Sequence, residues 1–130
     1  MTGKIFGSAG DLKEGKYVLI DDIPCKIVGI DTSKPGKHGA AKMRITAIGI
    51  FDGQKKNLLV PSDADVEIPM VERGNAQVVS VSGKTVQLMD LTTFETYELE
   101  IPEEFMANAA PGKEAEVLGA MGRRTIVRIK

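Results

Sequence analysis

Apolar and polar residues alternate in short runs along most of the chain, and an alternation with period two is the signature of half-buried strands. Met43, Ile45 and Ala47 interleave with Lys42, Arg44 and Thr46, which predicts a strand over 42–51. The alternation slips at Ile48-Gly49-Ile50, so a bulge is expected at Gly49. Upstream, Tyr17-Val18-Leu19-Ile20 reads as a strand closed by Asp21-Asp22, and Cys25-Lys26-Ile27-Val28-Gly29-Ile30 reads as another after Pro24. Downstream, Asp52-Gly53 predicts a hairpin turn into Lys56-Asn57-Leu58-Leu59-Val60, which Pro61 ends. Ser62-Asp63-Ala64-Asp65 then suggests one helical turn before Val66-Glu67-Ile68.

Pro69 divides this pattern from a second one, giving two expected domains, 1–69 and 70–130. Strands are predicted over 76–82, 85–89 and 93–99, the first two joined by a Gly83-Lys84 turn. A short helix is predicted over 101–108. Pro102 suits its first turn, and Glu103 and Glu104 lie at the positive end of its dipole. Two strands follow, 115–118 and 125–129, around a Gly-rich bend at 119–122. Three strands, a helix and two strands is the order of an OB-fold, and the five or six short strands of the first half suit an SH3-like barrel. The expected fold class is all-β: two small barrels in tandem, an N-terminal SH3-like barrel and a C-terminal OB-fold with one short helix.

Composition narrows the chemistry. With 42% hydrophobic and 27% charged residues the chain fits an ordinary soluble protein, and its 5% aromatic content leaves no large platform for stacking unpaired bases. The net charge is −1, so any contact with nucleic acid must come from local charge. Such local charge exists. Residues 32–51 contain basic residues and no acid, whereas 87–112 contain Asp90, Glu95, Glu98, Glu100, Glu103 and Glu104 without a Lys or Arg. The two runs are either solvated faces or poles by which an RNA partner's field orients the molecule. One cysteine, Cys25, rules out an internal disulfide and suits a reducing compartment. No apolar run approaches the roughly 20 residues of a membrane span, and no signal peptide opens the chain, so a cytoplasmic protein is expected.

The parts of an enzyme are missing. His38 is the sole histidine, so a metal site would rest on His38, Cys25 and carboxylates, a poor set. Cys25 lies in an apolar strand and reads as a small hydrophobe rather than a nucleophile. Gly36-Lys37-His38 lacks the upstream glycine spacing and the following Ser/Thr of a phosphate-binding loop. No catalytic residue, metal, cofactor or small-molecule substrate is therefore assigned.

What remains is the segment between the strands ending at Ile30 and beginning at Lys42, which forms the tip of a long hairpin. It reads Asp31-Thr32-Ser33-Lys34-Pro35-Gly36-Lys37-His38-Gly39-Ala40-Ala41-Lys42. A Pro-Gly turn holds Lys37 between Gly36 and Gly39, with Lys34, His38, Lys42 and Arg44 close in sequence. Glycines beside an exposed lysine let another molecule approach its backbone. Such a loop presents a cation to something large and negative.

This segment strongly resembles the hypusine loop of the translation initiation factor 5A family. The likeness extends through Lys16-Tyr17-Val18-Leu19-Ile20, Pro24-Cys25-Lys26-Ile27, Val60-Pro61 and 78–105, nearly the whole chain. The length, without an acidic N-terminal extension, is similar to the archaeal branch, which is related to bacterial elongation factor P. Pro35 stands where the eukaryotic pattern has threonine and Ala40 where it has histidine, which leaves open whether modification ends at hypusine or at deoxyhypusine. The resemblance implies a translation factor, not an enzyme, whose Lys37 receives an aminobutyl group from spermidine through deoxyhypusine synthase. It implies binding at the ribosomal exit site, to ribosomal RNA and proteins, where the lengthened side chain positions the acceptor end of peptidyl-tRNA and helps slow peptide bonds at proline runs. Ser33, Lys34, Pro35, Gly36, His38, Gly39, Lys42 and Arg44 are the accompanying loop and RNA-contact candidates. Two rival readings are a general RNA-binding module, in which Lys37 is one cation among several, and an RNA-cleaving enzyme built on His38.

Overall fold

Eleven strands, written β1 to β11 in chain order, account for most of the computed structural model, which describes residues 3–33 and 41–130. The chain divides into two compact units, Met1–Met70 and Val71–Lys130. Each has its own apolar core.

The first unit contains β1 (Lys4–Ser8), β2 (Tyr17–Ile20), β3 (Ile23–Ser33), β4 (Lys42–Gly49), β5 (Lys55–Pro61) and β6 (Asp65–Pro69). β2, β3, β4 and β5 form an antiparallel meander in that order, and β1 pairs antiparallel with β6. Its core gathers Val18, Ile20, Cys25, Ile27, Met43, Ile45, Ala47 and Val66, the inward positions of the alternation read from the sequence. Fully burying a side chain such as Ile27 or Ile45 stabilises the fold by about 1.5–3 kcal/mol.

Several local expectations change. β3 begins at Ile23, not after Pro24, because Asp21 and Asp22 adopt φ of 52° and 61° and make a two-residue turn that pairs Ile20 with Ile23. Pro24 stays in the strand, where its carbonyl accepts the Ile50 amide at 3.0 Å. β4 stops at Gly49 rather than 51. The bulge expected at Gly49 lies instead in β3, where the register shifts between Ile27 and Gly29. The apolar spacing explains it. Cys25 and Ile27 point inward two apart, but the next inward residue is Ile30, three further on, and one extra residue restores the phase. Gly49 is required for another reason: a Cβ there would collide with the Asp52 carboxylate, whose Oδ1 accepts the Gln54 amide at 2.9 Å in the turn before β5. That amide holds the Asp52 carboxyl below its usual range.

Residues 62–64 are a simple turn, closed by Ala64 N–H to Pro61 O at 3.0 Å, rather than a helical turn, and Asp65 already opens β6. Among the described residues the one 3₁₀ turn of this unit is Ala9–Asp11, and β1 before it was not anticipated.

The second unit contains β7 (Glu72–Ser82), β8 (Thr85–Asp90), β9 (Thr96–Glu100), β10 (Glu114–Ala120) and β11 (Arg123–Ile129). They pair in the order β11-β10-β7-β8-β9, the topology of an OB-fold. Ala76, Val78, Val86, Leu88, Val117 and Ile126 fill its core. The two ends of the sheet come together where the Arg124 guanidinium of β11 lies 4.2 Å over the Tyr97 ring of β9. The helix predicted over 101–108 is only a 3₁₀ turn, Glu103–Phe105. Ile101, Phe105 and Ala109 pack against the core at the spacing of a helix face, yet only Glu103–Phe105 between them is helical. Among the described residues no helix is long and apolar enough to cross a membrane.

Candidate loop-bearing hairpin

β3 and β4, of 11 and 8 residues, form the longest hairpin of the first unit, and the Lys37 segment joins them. Core packing aims this hairpin. Along β4, Met43, Ile45 and Ala47 turn into the core, which drives Lys42, Arg44 and Ile48 to the opposite, outward face. The β3 bulge lets Ile30 turn inward beside Ile45, and Asp31 and Ser33 therefore turn outward.

The last rung before the loop pairs Ser33 with Lys42, and the next outward rung pairs Asp31 with Arg44. A third strand braces this base. Lys42 pairs on its other side with Pro61 of β5, and the Ser62 amide donates to Ala41 O at 2.7 Å. The segment thus departs from a rim whose backbone is bonded on both sides of β4. Ser33, Lys42 and Arg44 are all exposed there. Neither Lys42 nor Arg44 forms an ion pair with a described residue.

The structure therefore brings together three of the residues singled out from the sequence, Ser33, Lys42 and Arg44. The others, Lys34, Pro35, Gly36, Lys37, His38 and Gly39, lie outside the described residues. Cys25 sits at the far end of the hairpin, fully buried, with its thiol donating to Ile23 O at 3.2 Å. Burial pushes that thiol above its ordinary pKa, so it holds its proton and is a poor nucleophile. Among the described residues no group of three His, Cys, Asp or Glu side chains could hold a metal ion.

Sequence reasoning missed two cations on the same outward face, Lys26 of β3 and Lys55 of β5. They stand opposite Ile48 from either side. Their placement depends on pairing register, which a single strand's alternation does not reveal.

Comparison with known proteins gives a consistent result. Residues 5–64 match the family described as translation initiation factor 5A-like, N-terminal. Residues 70–130 match the family described as eukaryotic elongation factor 5A hypusine, DNA-binding OB fold. The chain is 52% identical over 126 residues to translation initiation factor 5A of Korarchaeum cryptofilum, covering 95% of this chain and 94% of that one. It is 55% identical over 121 residues to that of Methanopyrus kandleri, covering 92% and 89%. Among solved structures it is similar to the initiation factor 5A of Methanococcus jannaschii, with a TM-score of 0.88, 45% identity and coverage of 99% and 98%. An initiation factor 5A family protein of Naegleria fowleri superposes with a TM-score of 0.80 at 37% identity, covering 98% of each chain.

Proposed function

The chain belongs to the translation initiation factor 5A family, and from that premise we propose that it is a non-catalytic, cytoplasmic factor acting on the ribosome through a lengthened Lys37 side chain. In this reading deoxyhypusine synthase attaches to Lys37 an aminobutyl group from spermidine, giving hypusine or deoxyhypusine. The tip becomes a long side chain with two amines. At the exit site these amines clamp phosphates and ribose groups at the acceptor end of peptidyl-tRNA, and peptide bonds that form slowly, as at proline runs, form faster. Orientation of this kind lowers a barrier by several kcal/mol without any acid or base from the factor. Lys34, Lys42 and Arg44 add phosphate contacts that do not depend on sequence.

The observation that carries the reading is the braced hairpin base. A long probe can position its target only if its root is fixed, and here the root is bonded to β3 and β5 with Met43 and Ile45 anchored in the core beneath it. Lys42 and Arg44, exposed and without an ion pair among the described residues, leave positive charge at the rim through which an RNA approaches.

The test is a mass spectrum of the peptide covering residues 30–42, taken from protein isolated from its native host. An added aminobutyl group on Lys37, hydroxylated or not, is the expected result; an unmodified lysine overturns the reading. RNA or ribosome binding that survives Lys37→Ala unchanged would favour the general RNA-binding alternative.

A further inference from the structure

The exit of the Lys37 segment is held from a second direction, by the residues that end β1. The Ser62 amide donates to Ala41 O at 2.7 Å, one residue beyond the Lys42–Pro61 pair, and ties down the chain where it leaves that segment. The carbonyl of the same Ser62 accepts twice, from the Gly10 amide at 2.8 Å and from the Ser8 hydroxyl at 3.3 Å. Between those donors the Ala9 amide donates to Ala64 O at 2.9 Å, so residues 8–10 grip the 62–64 turn at two carbonyls. The grip is itself anchored, because Ala9 and Leu12 are buried in the core of the first unit.

Backbone conformation does not require a glycine at position 10, since its φ lies outside the left-handed region that Gly15 and Gly53 occupy. Proximity requires it. A Cβ at Gly10 would stand 3.1 Å from Ser62 O, closer than ordinary contact, and against backbone rather than a side chain that could swing aside.

We propose that Gly10 is a positioning residue for Lys37. By letting the Ala9–Asp11 turn close on the Ser62 carbonyl, it fixes the bond from Ser62 to Ala41, and with it the direction in which the Lys37 segment meets the modifying enzyme. Only the φ and ψ of one residue separate the Ser62 amide from its carbonyl, so a displaced carbonyl carries the amide with it. The proposal rests on the reading of Lys37 as the modified residue and adds to it a residue far from the loop in sequence.

The test compares the native chain, Gly10→Ala and Ser8→Ala as substrates of deoxyhypusine synthase with spermidine. Gly74→Ala in β7 is the control, because it adds the same Cβ where the nearest atom lies 3.9 Å away. Initial rates against chain concentration give kcat and KM separately, and amide exchange is followed at Ser62. A misplacement of about 1 Å costs about 10²-fold in rate, so a shift of a few tenths should lower kcat about three- to tenfold in Gly10→Ala with KM unchanged. Ser8→Ala removes one of the two donors and adds nothing, so its kcat should fall between the two. A merely structural role reads differently: a partly unfolded substrate lowers the competent concentration, which raises KM and leaves kcat alone. Exchange at Ser62 should quicken in Gly10→Ala and not in Gly74→Ala. A native kcat in Gly10→Ala, an equal loss in Gly74→Ala, or native exchange at Ser62 overturns the proposal. Should Gly10→Ala not fold, a native kcat in Ser8→Ala overturns it. A native chain that accepts no aminobutyl group defeats the reading of Lys37 instead, and exchange at Ser62 still reports whether Gly10 holds the exit of the loop.

Discussion

Two surfaces of the molecule, one in each unit, use their cations in opposite ways. In the OB-fold unit the arginines and lysines near carboxylates are tied to them: Arg73 to Glu116 at 2.6 Å, Lys130 to Glu114 at 2.7 Å and Arg124 to Glu95 at 3.6 Å. On the outward sheet face of the SH3-like unit, Lys26, Lys42, Arg44 and Lys55 are left without such partners among the described residues. Exposed ion pairs stabilise a fold little, so the first arrangement is not a device for stability. Its effect is to cancel local charge. The second arrangement preserves local charge, on the one face that leads to the loop. A chain of net charge −1 thus acquires a polarity that its total charge conceals.

The largest expected effect tests whether the loop is the functional end of that polarity. Lys37→Arg keeps the charge but removes the amine that the proposed modification requires, and on that proposal it should abolish support of synthesis through proline runs in a reconstituted translation assay. Full activity would break the comparison, because charge alone would then suffice.

Core truncations sharpen it next. Ile45 and Leu88 are both fully buried, one beneath the hairpin and one in the OB-fold. Ile45→Ala and Leu88→Ala should each cost about 3 kcal/mol in denaturant unfolding. Only Ile45→Ala should loosen the loop base, seen as faster amide exchange at Lys42 and Ser62. Equal loosening by both would mean that the hairpin is not aimed by its own core.

A smaller effect is expected at the Asp90 turn of the OB-fold. Its Oδ1 accepts the Thr92 amide at 2.7 Å and the Thr93 amide at 2.9 Å, and Phe94 follows with φ of 63°. Asp90→Ala should cost about 1 kcal/mol. The bonds from Thr93 and Thr92 hold the Asp90 carboxyl below its usual pKa. Its contribution is therefore complete above the unfolded value near 3.9 and is lost as pH falls through the lower folded value. The gap in Tm between native and Asp90→Ala protein should be constant from pH 7 to about 5 and close below pH 4. The smallest effect belongs to the cancelled charges: Lys130→Ala should change stability by less than about 1 kcal/mol. A larger loss would show that the ion pairs of this unit are structural after all.

How far the sequence led depends on whether a feature is local. Strands β2, β4, β5, β7, β8, β10 and β11 follow from alternation and turn residues, and so did both barrel topologies. β1 escaped because Ile5 and Phe6 are exposed and its partner β6 lies some sixty residues away, so no local period marks it. The expected helix over 101–108 reduced to a single 3₁₀ turn, since Pro102 and two glutamates favour a helix start whatever follows. Ser33, Lys42 and Arg44 were legible as neighbours of a basic loop. Lys26 and Lys55 were not, because they meet only across Ile48, and that alignment is fixed by three strands at once.

The surplus residue in β3 acts as a half-turn in a two-beat rhythm. Without it Ile30 would follow Ile27 at the ordinary spacing of two and still face inward, so the bulge lets β3 carry one residue more than its partner without turning Asp31 or Ser33 into the core.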